Sequence, residues 1–116
     1  MPVRDEVLNW LEEAKADLRH AHDCTRLERF NWACFVSQQV AEKAFKAVIL
    51  HVKGEYARGR DLVKLYRSLR DAYRDIALDI SRLSELSAYY TQARYPNAGL
   101  ERPSEEITAE QAKRAY

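Results

Sequence analysis

The segment FNWACFVSQQVAEKAFKAVILHV, residues 30 to 52, limits what this chain can fold into more than any other part of it. It contains no Gly and no Pro, and its apolar residues fall on most sides of a helical wheel. Such a helix cannot lie on a surface with one face in water; it has to be covered from several directions. The segment therefore predicts a central helix with others packed around it.

The rest of the chain supplies the covering helices. Residues 5 to 23 place Val7, Leu11, Ala14, Leu18 and Ala21 on one face, with Trp10 beside it. Gly54 stands where a helix stop belongs, and GEYARG reads as a loop. A third helix over about 60 to 75 stacks Leu62, Leu65, Tyr66, Leu69 and Tyr73. A fourth over about 77 to 94 stacks Ile80, Leu83, Ser87 and Tyr90, and Pro96 disfavours helix at Tyr95. PNAGLERPSEE is a loop of turn formers, after which Thr108 to Gln111 has capping-box spacing and opens a last short helix. The fold class is all-α, an antiparallel helical bundle forming one domain over 1–116. With only three Gly and three Pro in 116 residues, a turn-rich β fold is disfavoured. No apolar run reaches the length of a membrane span and the first residues are no signal peptide, so the expected location is the cytoplasm.

Most familiar chemistries find no support. In HAHDC, residues 20 to 24, only His20 and Cys24 share a helix face, and two ligands do not make a zinc site. Cys34 sits in the apolar helix and reads as a small core residue. There is no phosphate loop and no dinucleotide glycine pattern, and the carboxylates are dispersed. No metal or cofactor is expected.

Three local features remain. The stretch from Lys53 to Arg74 has seven basic and three acidic residues, although the whole chain nets only +1. On a wheel, Arg60, Lys64, Arg67 and Arg74 fall opposite the apolar stripe, either as a plain solvated face or as an electrostatic contact for RNA or phosphate. In QQVAEKAFK, the groups Gln38, Gln39, Glu42 and Lys46 lie on the most apolar element, as i,i+4 surface pairs or facing a partner helix or polar cleft. Finally, the stripe Ile76, Ile80, Leu83, Ser87, Tyr90 continues onto Arg94. An arginine there needs a carboxylate or phosphate partner, with Glu42 the internal candidate, or else it snorkels past the helix end.

Taken together, WLEEAKADL, FNWACFVSQQVAEKAFKAVIL, RDLVKLYRSL and YYTQARYP resemble the HEPN domain family over roughly residues 8 to 97. The QQ-x-x-EK-x-x-K segment and the distal Arg-Tyr-Pro are similar to the prokaryotic branch found beside minimal nucleotidyltransferases. The resemblance implies an up-and-down bundle of four to five helices that homodimerises, with a nucleotide or RNA bound in the dimer cleft. It implies ligand-binding roles for Arg94, Tyr95, Glu42, Lys46 and Gln39. Many members are metal-independent RNases with an Arg-x(4–6)-His motif. If Arg94 is that arginine, the His should stand at 99, 100 or 101, where this chain has Gly99, Leu100 and Glu101. The proton-transfer group is missing, and an arginine cannot replace it.

Three readings follow. The first is a non-catalytic domain that binds phosphate and partners a nucleotidyltransferase in a toxin–antitoxin-like module. The second is an RNase toxin drawing its base from His20, His22 or His51. The third is a structural helical partner. Twelve aromatic residues, among them Trp10, Phe30, Trp32, Tyr89 and Tyr90, exceed what a small bundle hides and point to an interface.

Overall fold

The computed structural model describes residues 3–72 and 77–115. Tyr73, Arg74 and Ile76 lie outside the described residues. Six helices occur among the described residues: α1 (Val3–Arg26), α2 (Phe30–Lys53), α3 (Leu62–Ala72), α4 (Ile80–Gln92), α5 (Pro103–Glu106) and α6 (Ala109–Ala115). The central helix behaves as its composition demands, since α2 touches each of the other five. Its end is set by Gly54, which takes the left-handed conformation (φ 68°) and donates its N–H to the Leu50 carbonyl at 2.9 Å.

Along α2 the core divides into three clusters. At the N-terminal end Ala33 and Cys34 meet Cys24, Tyr89, Ala93, Ile107 and Ala112. Further along, Phe45 and Ile49 meet Leu62, Leu65, Tyr66, Leu69 and Leu83. Ala47 and Leu50 meet Val7 of α1. Small residues at Ala14 and Ala21 of α1 and at Ala33 and Ala47 of α2 are buried, which lets α1 and α2 run close together.

Several boundaries differ from the sequence expectation for identifiable reasons. Helix α1 is longer at both ends, and Leu18 stays 39% exposed because the buried row runs through Val7, Ala14, Ala21 and Cys24. Helix α3 begins at Leu62, since the Asp61 carboxylate accepts the Val63 and Lys64 N–H groups and so caps it. Helix α4 begins at Ile80 because Asp79 caps it through the Ser81 and Arg82 N–H groups. Ile80 therefore sits in the first turn and is exposed, contrary to its place in the predicted stripe. The predicted loop after Pro96 contains the short helix α5, started by Pro103 at its first turn. The capping box is present: Gln111 N–H donates to Thr108 Oγ1 at 3.2 Å, and Thr108 N–H donates to Gln111 Oε1 at 2.9 Å.

Candidate functional site

Helix α4 ends at Gln92, two residues short of the expected boundary, and the chain tightens as it leaves. Ala93 caps the helix in the right-handed conformation, and the Arg94 and Tyr95 N–H groups both turn back to the Thr91 carbonyl. Asn31, at the start of α2, donates to the Ala93 carbonyl at 3.2 Å and ties the two helices together. Arg94 is thus held against α2, half-buried, just past the end of α4.

Its partner is not a carboxylate. The Arg94 Nε donates to the Tyr90 carbonyl at 2.8 Å, capping the last turn of α4. The guanidinium carbon lies 4.3 Å from the Phe35 ring centroid, 4.5 Å from Tyr90 and 4.9 Å from Tyr95. The expected pair with Glu42 does not form. Glu42 lies seven residues beyond Phe35 along α2, about 10 Å of helix, and is taken by its own neighbours. It accepts from Lys46 Nζ and from Gln38 Nε2, each at 3.1 Å. An i,i+4 pair that forms wherever the helix forms outcompetes a distant arginine.

A second arginine reaches the same ring. The Arg60 guanidinium lies 4.1 Å from the Tyr90 centroid. Arg60 precedes the Asp61 cap, so it belongs to the loop and not to an exposed ridge on α3. Its carbonyl is pinned from below by Gln38 Nε2 at 3.3 Å and by Ser87 Oγ at 3.4 Å, while Ser87 Oγ accepts the Leu62 N–H at 3.1 Å. Gln38 is wholly buried, and its Oε1 accepts from Gln39 Nε2 at 2.7 Å. Gln38, which the sequence offered only as a surface pair or a cleft-facing group, completes the site together with Phe35 and Tyr90, which were not among the expected ligand residues. Tyr90 carried a signal, one helical turn before Arg94 on the same stripe.

The predicted site residues fall into two neighbourhoods. Arg94 and Tyr95 join Arg60 around Tyr90. Glu42 and Lys46 lie further along α2, where Lys46 Nζ stands 5.9 Å from the Trp10 centroid. Gln39 and Gln38 bridge the two. Lys64 and Arg67 are exposed on α3. Of the interface aromatics, Tyr89 is core at 2% exposure, with its hydroxyl accepting from Gln111 Nε2, and Phe30 packs against the same cluster. Trp32, 44% exposed and edge-on to Phe35, and Tyr95, 52% exposed, stay at the surface beside Arg94.

Electrostatically the site is a pair of uncompensated cations. Neither Arg60 nor Arg94 has a carboxylate within ion-pair distance among the described residues. Both lie over one ring, so they are no farther apart than their two centroid distances laid end to end. Two like charges at such a separation repel by roughly 0.5–2 kcal/mol, depending on the local dielectric. Cation–π contacts of about 0.5–2 kcal/mol offset this, and an anion bridging the pair relieves it.

The loop after Arg94 bears on the missing histidine. Gly99 has φ 113°, and a Cβ there would stand 2.7 Å from the Gln92 side chain, so a His at 99 would be strained. Leu100 packs against the core, and Glu101 is exposed. His51 lies sixteen residues beyond Phe35, about 24 Å along α2. His20 is exposed on α1, with its ring Nε2 3.8 Å from Cys24 Sγ. Among the described residues no group of three His, Cys, Asp or Glu could hold a metal ion, and no helix is long and apolar enough to cross a membrane.

The family profile described as HEPN domain matches residues 7–116. The crystal structure of TT1696 from Thermus thermophilus is similar at 33% identity and a TM-score of 0.80, covering 94% of this chain and 86% of that one. ST0689, an archaeal HEPN homologue, is similar at 29% identity and a TM-score of 0.71, covering 94% of this chain and 84% of its own. No curated protein matches the chain.

Proposed function

The chain belongs to the HEPN domain family, and on that premise we propose that it is a non-catalytic member that binds the phosphate of a nucleotide or RNA through Arg94 and Arg60. The supporting observation is the pair of guanidiniums stacked on Tyr90 without a carboxylate between them. Arginine suits this task because its planar fork can stack on an aromatic ring and still donate to phosphate oxygens. Tyr95, exposed beside Arg94, offers a face for a base to stack on. Lys64 and Arg67 add long-range attraction from α3, with Arg74 as their proposed continuation. Gln39, Glu42 and Lys46 act at one remove: through Gln38 they fix the backbone that carries Arg60. The site works in a homodimer, with exposed Trp32 next to Phe35 contributing to the contact between copies, and the dimer partners a nucleotidyltransferase in a two-component, toxin–antitoxin-like module.

Chemistry favours binding over cleavage. Attack by an RNA 2′-hydroxyl needs a group that takes and returns a proton near neutral pH. The rings against Arg94 are those of Phe35, Tyr90 and Tyr95, and none of them is an imidazole or a carboxyl group. The test is Arg94→Ala, assayed for nucleotide binding, for RNA cleavage and for thermal stability. The proposal expects binding by the parent, loss of at least tenfold in the variant and cleavage by neither. Cleavage that depends on Arg94 would make the chain an RNase instead. A variant altered only in stability would leave Arg94 a structural residue.

A further inference from the structure

A groove of about 450 Å³ opens away from the arginine pair, between the first half of α1, the middle of α2 and the loop after Gly54. It is lined by Glu6, Asn9, Trp10, Glu13, Lys43 and Tyr56. Its chemistry is opposite in sign to that of the Arg94 site. Glu6, Trp10 and Glu13 follow at i, i+4 and i+7, so they share one face of α1. The Tyr56 hydroxyl donates to Glu6 and draws the phenol over the groove. Lys43, the one cation in the lining among the described residues, is neutralised by Asp17 at 2.6 Å. Glu13 makes no hydrogen bond or ion pair among the described residues. Two carboxylates therefore flank an indole wall, and at least one awaits a partner.

That pattern selects a ligand class. A phosphate or carboxylate ligand would be repelled. A single metal ion cannot be shared, because Glu6 and Glu13 are about 10 Å apart along the helix and metal–oxygen bonds are about 2–2.6 Å. An elongated cation fits, with charges near each carboxylate and an apolar middle on the indole. Trp10 already accepts a cation, the Lys46 ammonium, and the two residues share a second, smaller crevice. We propose that this groove binds an aliphatic polyamine of the putrescine–spermidine class, its ammonium groups at Glu6 and Glu13 and its methylenes along Trp10. The site stands apart from the phosphate reading and does not depend on it.

Trp10 is its own reporter once the other tryptophan is removed. In the Trp32→Phe variant, with its fold checked by circular dichroism, spermidine titrated at constant ionic strength should change Trp10 fluorescence saturably at millimolar concentration or below. Adding Glu13→Gln, at an exposed position that leaves the core untouched, should raise the midpoint at least about fivefold, equivalent to roughly 1 kcal/mol. Magnesium at matched ionic strength should produce no such signal. A linear, unsaturable response, an unchanged midpoint in Glu13→Gln, or an equal effect of magnesium would overturn the proposal.

Discussion

Gln38 carries more of the site's geometry than its neutrality suggests. Its side chain is wholly buried, and its amide joins Glu42, Gln39 and the Arg60 carbonyl at once. Replacing it by Ala leaves one Glu42 oxygen without its Gln38 donor and the Arg60 carbonyl with only the long Ser87 contact, at a cost of about 1–3 kcal/mol. Gln38→Ala should therefore lower the denaturant midpoint by a corresponding amount and also weaken nucleotide binding, although Gln38 touches no ligand in this account. Unchanged binding in a folded Gln38→Ala protein would show that Arg60 does not depend on it. At this scale the sequence was half legible. The continued stripe left Arg94 between an inward place beside a carboxylate or phosphate and a place at the helix end, and its contact with the Tyr90 carbonyl matches the second. The basic run singled out Arg60 as a possible phosphate contact but could not announce its meeting with Arg94, because its place depends on the neighbouring Asp61 cap and on two remote groups, the Ser87 hydroxyl and the Gln38 amide. Nor could the sequence decide between two partners for Glu42, where proximity on one helix prevailed.

Helix ends were the most legible elements wherever a local rule fixed them. Gly54 and the Thr108–Gln111 box are read from neighbouring residues and both occur, whereas α4 stops at Gln92, ahead of the boundary read from Pro96. Starts governed by an Asp side chain, at Asp61 and Asp79, shifted α3 and α4 by two and three residues from expectation. The short α5 was hidden in a run of turn formers. Gly54 provides a clean test of how much its stop is worth. A Cβ there would meet nothing within 4 Å, so Gly54→Ala suffers only the cost of the left-handed backbone. That cost is about 1–2 kcal/mol, and the variant should show a matching drop in unfolding free energy with the fold retained. No measurable loss would mean that the α2 terminus relaxes around the substitution.

Across the whole molecule, the bundle buries three weak acids in one cluster, Cys24, Cys34 and Tyr89, and the last two are shifted furthest. Burial pushes the Cys34 thiol from 9.0 up to about 12, and burial together with neighbouring Cys34 pushes the Tyr89 hydroxyl from 10.0 up to about 12. Both groups are held protonated by folding, so their contribution is intact below pH 9 and is lost as pH rises from 9 towards 12. The melting temperature should fall between pH 8 and pH 10.5, and fall less in Cys34→Ala; equal falls in both proteins would remove the thiol from the explanation. The same burial makes Cys34 a poor nucleophile, consistent with its place in the core. Alkaline softening concerns the scaffold, whereas function rests on the two arginines that the scaffold brings to one ring. That claim is tested most directly by titrating adenosine monophosphate into the parent, Arg60→Ala and Arg94→Ala proteins by calorimetry at fixed salt. The account predicts measurable binding by the parent and a loss of at least about tenfold, roughly 1.4 kcal/mol, in each variant. Parent-like binding by either folded variant would contradict it.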